Sequence, residues 1–345
     1  MTTPDSNSTQ VRNQKKSDKR HLRCGNILIS LIGVVLFTWV IVHSGPSAVA
    51  HQLKALRIAL PLVIALSVIR LGLQTRTWSA ALMNEGLAVS LRRLIGIRLA
   101  SQAMGYLTVF GPVLSEPMKI KLLRTPVDET ATATFLDNGV YWFTSAMVGI
   151  AGCVSISLLK SQGTVSTLAF CGLFGLIMLF IARRESFLVG VTNALGSRSP
   201  SWLSKAAKIE SAIRKLRAEK PQLVRRMFWL DVACQLLLVL EVAVVLWSLR
   251  LPFHLLNLLA IEGLTRCLKM VTGFVPAGLG ADEGGAMSAF AASGLSPALG
   301  LTLAFTRRAR DLSWALVGLT WLGFRARASK QSLTSLNEGT LLCNS

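Results

Sequence analysis

Residues 227–249 read MFWLDVACQLLLVLEVAVVLWSL, an apolar stretch whose only charges are Asp231 and Glu241. As a helix rising 1.5 Å per residue it reaches about 35 Å, enough to cross roughly 30 Å of hydrocarbon. Similar blocks lie at about 27–43, 58–74, 94–110, 136–159, 165–182 and 255–274. A final stretch, 284–324, is apolar but interrupted by Arg307, Arg308, Arg310 and Asp311, and predicts one long and one short helix. Only 16% of the 345 residues are charged, against about 25% in soluble domains, and the apolar residues come in bilayer-length blocks. The expected fold is therefore an all-α, polytopic transmembrane helical bundle.

Three segments fall outside that bundle or extend from it. Residues 1–26 are polar and basic and are expected to be a disordered cytoplasmic tail. Residues 27–325 form the membrane domain, with 183–226 as a basic cytoplasmic loop. Residues 326–345 are expected to be a flexible tail. Ala48-Val49-Ala50 resembles a signal-peptide cleavage site, but many spans follow and the first apolar run is long for a signal core, so an uncleaved anchor is the preferred reading.

The 37 Lys and Arg against 17 Asp and Glu give a net charge of +20. Nucleic-acid binding is one reading of such a balance, yet no zinc-finger, RNA-recognition or helix-turn-helix signature is present. The cations instead lie between the apolar blocks. Residues 1–26 carry six, 44–57 carry Lys54 and Arg57, and 75–98 carry Arg76, Arg92, Arg93 and Arg98; Lys160 stands alone before 183–226, which carries eleven. That alternation fits the positive-inside rule with a cytoplasmic N-terminus. It holds only if 94–135 enters and leaves on the same side, which demands a broken or re-entrant helix there.

Within the basic loop, Trp202, Ala206, Ile209, Ile213 and Leu216 recur at spacings of 4, 3, 4 and 3, one apolar helical stripe ringed by cations. Such a helix lies on anionic headgroups or packs on its own protein, and the pattern favours neither. The six cysteines include no C-x-x-C pair and no H-E-x-x-H occurs, so neither a metal site nor a disulfide framework is expected, and no cofactor is implied.

Two segments break the apolar pattern. Around Gly111, Pro112, Ser115, Glu116, Pro117 and Lys119, the two prolines each remove a backbone donor, and a new helix is expected to start near Ser115 as N-cap. The second, Gly273 to Gly285, holds Pro276, Gly278, Gly280, Gly284 and Gly285 with Asp282 and Glu283. So many Gly and Pro residues are not expected to continue a helix, yet apolar sequence lies on both sides. Non-helical backbone at membrane depth persists only where protein or a watery cavity satisfies it. Paired breaks in the two halves of a chain, each followed by an acid, are the pattern of transporters that bind substrate near the midplane. Carboxylates inside hydrocarbon cost roughly 2.5–3.5 kcal/mol each on insertion scales, so they are rarely idle. Glu116, Lys119, Asp282, Glu283, Arg266 and Lys269 are the candidate substrate-binding residues, with Asp137 and Glu262 beside them. Gly111, Pro112, Pro276, Gly278 and Gly280 are the candidate structural motif. Asp231 and Glu241 read as structural.

The run Pro276-Ala277-Gly278-Leu279-Gly280-Ala281-Asp282-Glu283 resembles the Pro-Gly-Gly-Leu-Gly-x-x-Glu signature of the lysylphosphatidylglycerol synthase transmembrane-region family, also described as flippase-like. Ser115-Glu116-Pro117-Met118-Lys119, followed by Lys121 and Arg124, is similar to its Gly-Glu-x-x-Arg motif. Ala277 stands where the signature has glycine, and Ser115 and Lys119 where it has Gly and Arg. The resemblance spans about residues 25–325. It implies a helical domain with re-entrant helices that moves or modifies lipids in a bacterial inner membrane. Members include the membrane half of aminoacyl-phosphatidylglycerol synthases, whose catalysis lies in an attached soluble domain. Only about 20 residues follow Phe324, so that domain is not expected here.

The reading that results is a lipid translocase or lipid-binding protein rather than a self-contained enzyme. Its partners would be membrane lipids, with anionic headgroups, and lipid- or glycolipid-synthesis enzymes; the lipid would be a phospholipid, a hopanoid or a glycolipid precursor. The alternatives are a membrane-embedded transferase using a lipid-linked donor and a non-catalytic partner of a synthase.

Overall fold

The computed structural model describes residues 46–107, 111–159, 211–216, 218–251, 253–272, 275, 278 and 280–342. The apolar blocks at 27–43 and 165–182, the N-terminal tail and most of the basic loop lie outside them. Every element among the described residues is helical: α1 (Pro46–Asn84), α2 (Leu91–Leu107), α3 (Gly111–Leu123), α4 (Val127–Leu159), α5 (Pro221–Ser248), α6 (Leu255–Val271), α7 (Ala281–Ala292) and α8 (Pro297–Leu342). Three stretches are long and apolar enough to cross a bilayer: Arg57–Asn84, Val127–Leu159 and Pro221–Ser248. The protein is an all-α membrane bundle.

Local chemistry sets the helix ends. Asp128 and Glu129 occupy the first turn of α4, where the dipole favours carboxylates. Pro221 stands at the start of α5, where its missing N–H costs nothing. Gly86 ends α1 at φ 78°, its N–H bonded to Met83 O while Leu87 N reaches Leu82 O, the six-to-one closure that a left-handed residue permits.

Two apolar clusters fix the helix directions. One joins Trp78, Leu82, Leu94, Ile97, Leu123, Leu136 and Met227, and it sits among the cations Arg92, Arg93, Arg124, Arg225 and Arg226; it marks the basic end. The other joins Val63, Val242, Leu246, Leu258, Ile261, Phe290 and Leu303 at the opposite end. Helix α1 runs from Val63 in the second cluster to Leu82 in the first, while α5 runs from Met227 back to Leu246, so the two are antiparallel. Helix α4 starts at the basic end beside α5.

The shorter helices behave differently. Helix α2 starts at the basic end with Leu94 and Ile97, and α3 returns to that end with Leu123. Helix α6 starts at the opposite end with Leu258 and Ile261, and α7 returns there with Phe290. These are two hairpins reaching inward from opposite ends, with arms of 17 and 13 residues in one and 17 and 12 in the other. At 1.5 Å per residue each arm is about 18–26 Å long, short of the ~30 Å hydrocarbon core. The first hairpin falls within 94–135, the stretch for which the charge alternation demanded a same-side return.

Outward-facing positions are apolar: Val68 and Ile69 on α1, Phe143, Val154 and Leu158 on α4, Leu236 and Leu240 on α5, and Leu316 on α8 are all exposed. With nothing to gain from burying apolar surface in lipid, the helices meet where side chains are small. A Cβ on Gly152 would strike the backbone of Gly263 and Leu259, so α4 and α6 touch main chain to main chain. Gly300 sits likewise on Ala286 and Gly318 on Leu99.

Two local expectations need correction. Helix α3 begins at Gly111 and contains Pro117, so Ser115 is inside the helix and is not its N-cap. Pro112 falls in the first turn, where proline is at home, and Pro117 removes a single hydrogen bond. Gly284 and Gly285 are inside α7 rather than in the break, since glycine is tolerated within a helix at a cost of about 1 kcal/mol. Of the apolar stripe in the basic loop, Ile213 and Leu216 are described, and both pack on the basic-end cluster; the remainder lies outside the described residues.

Candidate functional site

The interior between the two apolar clusters is charged. Its first group lies nearer the basic end. Arg98 on α2 pairs with Asp137 on α4 at 3.2 Å and donates to the Gln74 carbonyl of α1. Lys119 on α3 pairs with Glu116 at 2.7 Å and is within electrostatic reach of Arg98 and Asp137. Glu116 is partly exposed, and its Oε2 has no hydrogen-bond partner among the described residues. Asp231 on α5 is buried, with Asp137 and Arg98 as its charged neighbours. One turn further along α5, Gln235 donates to Ser145 at 2.8 Å.

The second group lies at the level where the spans cross. Glu262 on α6 accepts from Arg266 at 2.8 Å and from Arg307 of α8. Glu241 on α5 accepts from Arg307 at 3.0 Å and from Arg310. Arg310 also holds Asp311 at 2.9 Å. Arg266 donates to the Tyr141 hydroxyl of α4 at 2.7 Å. Each guanidinium thus ties helices together: α5, α6 and α8 through Arg307, α4 and α6 through Arg266.

The third group builds the turn into α7. Gly280, at φ 75°, donates its N–H to Glu283 Oε2 at 2.8 Å, and Glu283 Oε1 lies 2.7 Å from Arg308. Glu283 is fully buried, one oxygen capping the helix and the other neutralising α8. Asp282 faces Lys269 at 3.6 Å, and both are partly exposed. Thr265, Lys269, Asp282, Gly285, Ala304 and Arg307 line a hollow of about 30 Å³, room for a water or two. Tyr106, near the tip of the first hairpin, is within electrostatic reach of Asp282 and Glu283 at the tip of the second and of Arg308 and Asp311 on α8.

The candidate residues therefore fall into three groups. Glu116 and Lys119 belong to the first group; Arg266 joins the second; Lys269, Asp282 and Glu283 form the third. Asp137 and Tyr141, four residues apart on α4, link first and second across about 6 Å. Gly111 and Pro112 open α3, Gly278 at φ 61° and Gly280 shape the turn before α7, and Pro276 lies outside the described residues. Sequence reasoning passed over Arg70 and Tyr141, counted the buried Arg98 among the loop cations, and treated Glu241 as structural and Arg307, Arg308 and Arg310 as interruptions. One signal was available for the last set: Arg307, Arg310 and Asp311 recur at helical spacing, which places them on one side of α8. No metal-binding cluster of His, Cys, Asp and Glu is found among the described residues.

A bundle that turns hydrocarbon side chains outward and ionic ones inward is an integral membrane protein, the reverse of a water-soluble core. This chain belongs to the family described as the lysylphosphatidylglycerol synthase TM region, whose model matches residues 26–319. No curated protein and no solved structure matches it.

Proposed function

We propose that this protein takes a membrane lipid by its headgroup into the charged interior and passes it between the leaflets of a bacterial inner membrane. The observation that carries this reading is the run of ionic side chains between two half-length hairpins, from Glu116 and Lys119 through Asp137, Tyr141, Arg266 and Glu262 to Lys269 and Asp282. Buried ion pairs contribute little net stability against apolar packing. A bundle that needed only to hold together would use leucine at these positions. Headgroups, by contrast, need a polar lining wherever they cross hydrocarbon. In this reading both hairpins are re-entrant, and the hollow beside Asp282 and Lys269 is the closed form of a larger passage.

The basic end is the cytoplasmic one. Arg76, Arg92, Arg124, Arg225 and Arg226 are exposed there, while the opposite end offers Arg57 and Arg250. With α1 starting at the far end, one earlier crossing would leave the N-terminus in the cytoplasm.

Proteoliposomes carrying a headgroup-labelled phospholipid test the proposal. Wild-type protein is expected to expose inner-leaflet label to an external quencher far faster than empty vesicles. Glu116→Gln and Asp282→Asn, each partly exposed and tied to one cation, should slow that exchange about tenfold at unchanged thermal stability. Exchange no faster than in empty vesicles would overturn the proposal. A chemically altered lipid in the vesicles would instead favour a membrane-embedded transferase.

A further inference from the structure

Charge accounting in the second group does not close. Four guanidiniums, Arg70, Arg266, Arg307 and Arg310, meet three carboxylates, Glu241, Glu262 and Asp311. Three of the cations are held in ion pairs. Arg70 is not: among the described residues its side chain has neither a hydrogen bond nor an ion pair, although Arg310, Glu241, Tyr141 and Asp311 are its electrostatic neighbours. Both oxygens of Glu241 are already taken by Arg307 and Arg310, and Asp311 is held by Arg310. Asp231, the other buried carboxylate on α5, has Asp137 and Arg98 as its charged neighbours instead.

Position sharpens the point. Arg70 is the middle residue of the span Arg57–Asn84, and its carbonyl meets Cys234, the middle of Pro221–Ser248. It therefore sits at mid-depth, where an unpaired charge is most costly. It is only half-buried, and Val68 and Ile69 beside it on α1 face outward toward hydrocarbon. A guanidinium in that setting is satisfied by an anion arriving from the lipid side, and its planar fork suits a phosphate.

We infer that Arg70 is the phosphate-binding residue of the lipid site and that the lipid carried is phosphate-bearing rather than a neutral terpenoid or sterol-like one. The inference rests on the transport reading above and narrows its substrate class. The bound phosphate supplies the missing negative charge and bridges Arg70 toward Arg310, the cation that otherwise repels it. Without ligand the layer carries one excess positive charge; with a phosphodiester it is neutral.

Purified protein in a nonionic detergent is titrated with dihexanoyl phosphatidic acid, dihexanoylglycerol or inorganic phosphate, following the thermal midpoint. The phosphatidic acid is expected to raise the midpoint, and the glyceride of equal chain length is not. Inorganic phosphate alone should act weakly, since it lacks the acyl anchor; an equal response to it would assign the site to a soluble anion and overturn the lipid assignment. Arg70→Gln should weaken the phosphatidic-acid response about tenfold, and Arg70→Lys should retain part of it. Ligand-free Arg70→Gln should melt at or above the wild-type temperature, because an unpaired charge has been removed. A lowered midpoint would make Arg70 a structural residue and sink the inference, as would an equal response to the glyceride. Failure here is separable from failure of transport: wild-type vesicles that exchange a neutral lipid, with Arg70→Gln unaffected, would refute this inference and leave the transport reading standing.

Discussion

Arg266 on α6 donates a 2.7 Å hydrogen bond to the Tyr141 hydroxyl on α4, 125 residues away, with its guanidinium 5.9 Å from the centre of that ring. The bond fastens one arm of a half-length hairpin to a full crossing helix. It sits on the same pair of helices whose backbones touch at Gly152 and Gly263. Packing without side chains at one level and a hydrogen bond from a charged donor at another together hold α6 in register.

The first prediction follows from that pair. Tyr141→Phe removes one acceptor and keeps the ring, so it should cost about 1–2 kcal/mol. Arg266→Ala leaves buried Glu262 with Arg307 alone and should cost about 3–5 kcal/mol. Thermal melts in detergent give the ranking, and Arg266→Ala no worse than Tyr141→Phe would contradict the ion-pair account.

Glu283 has two separable duties. Glu283→Gln keeps an oxygen for the Gly280 N–H but removes the negative charge facing Arg308; Glu283→Ala loses both contacts and should be less stable by about a further 1 kcal/mol. The double variant Glu283→Gln with Arg308→Gln should be more stable than the sum of its parts predicts, by roughly 1–3 kcal/mol. An additive cycle would mean that the two side chains are not coupled.

The glycine seam makes a steric prediction. Gly263→Leu must push α4 away, since even a Cβ there meets Gly152 Cα and the Val148 carbonyl. Loss of a monodisperse peak on size exclusion, or a fall of several kcal/mol in stability, is expected. Gly139→Ala on α4, with open space around it, should be neutral or stabilise by about 0.5–1 kcal/mol. Equal tolerance at both sites would refute the close approach.

Backbone conformation supplies a fourth. Gly280 caps α7 at φ 75°, a region that costs an L-residue about 1–2 kcal/mol. Gly280→Ala should lower stability by about that much, and Gly280→Asn by less, since asparagine tolerates the left-handed region better. Identical melts for the two would argue against a left-handed cap.

Much of this architecture could be read from the chain. Block length announced the long apolar helices, and Gly and Pro content announced the break before α7, because backbone that leaves the helix is a local property of residues such as Gly278 and Gly280. Which charges meet was not legible. Glu241 pairs with Arg307 and Arg310 across 66 and 69 residues, a relation set by how α5 and α8 cross and by no local spacing. Arg70 escaped notice for the same reason: a lone cation in an apolar run is conspicuous only once its neighbours are known to be spoken for. The start of α3 was misplaced because Pro117, read as a breaker, is absorbed at the loss of one hydrogen bond.

The half-helices α3 and α7 both begin deep in the bundle, at Gly111 and Ala281, one in each hairpin. A helix start carries roughly half a positive elementary charge. Carboxylates stand close to both starts, Glu116 in α3 and Asp282 and Glu283 in the first turn of α7, and offset that charge.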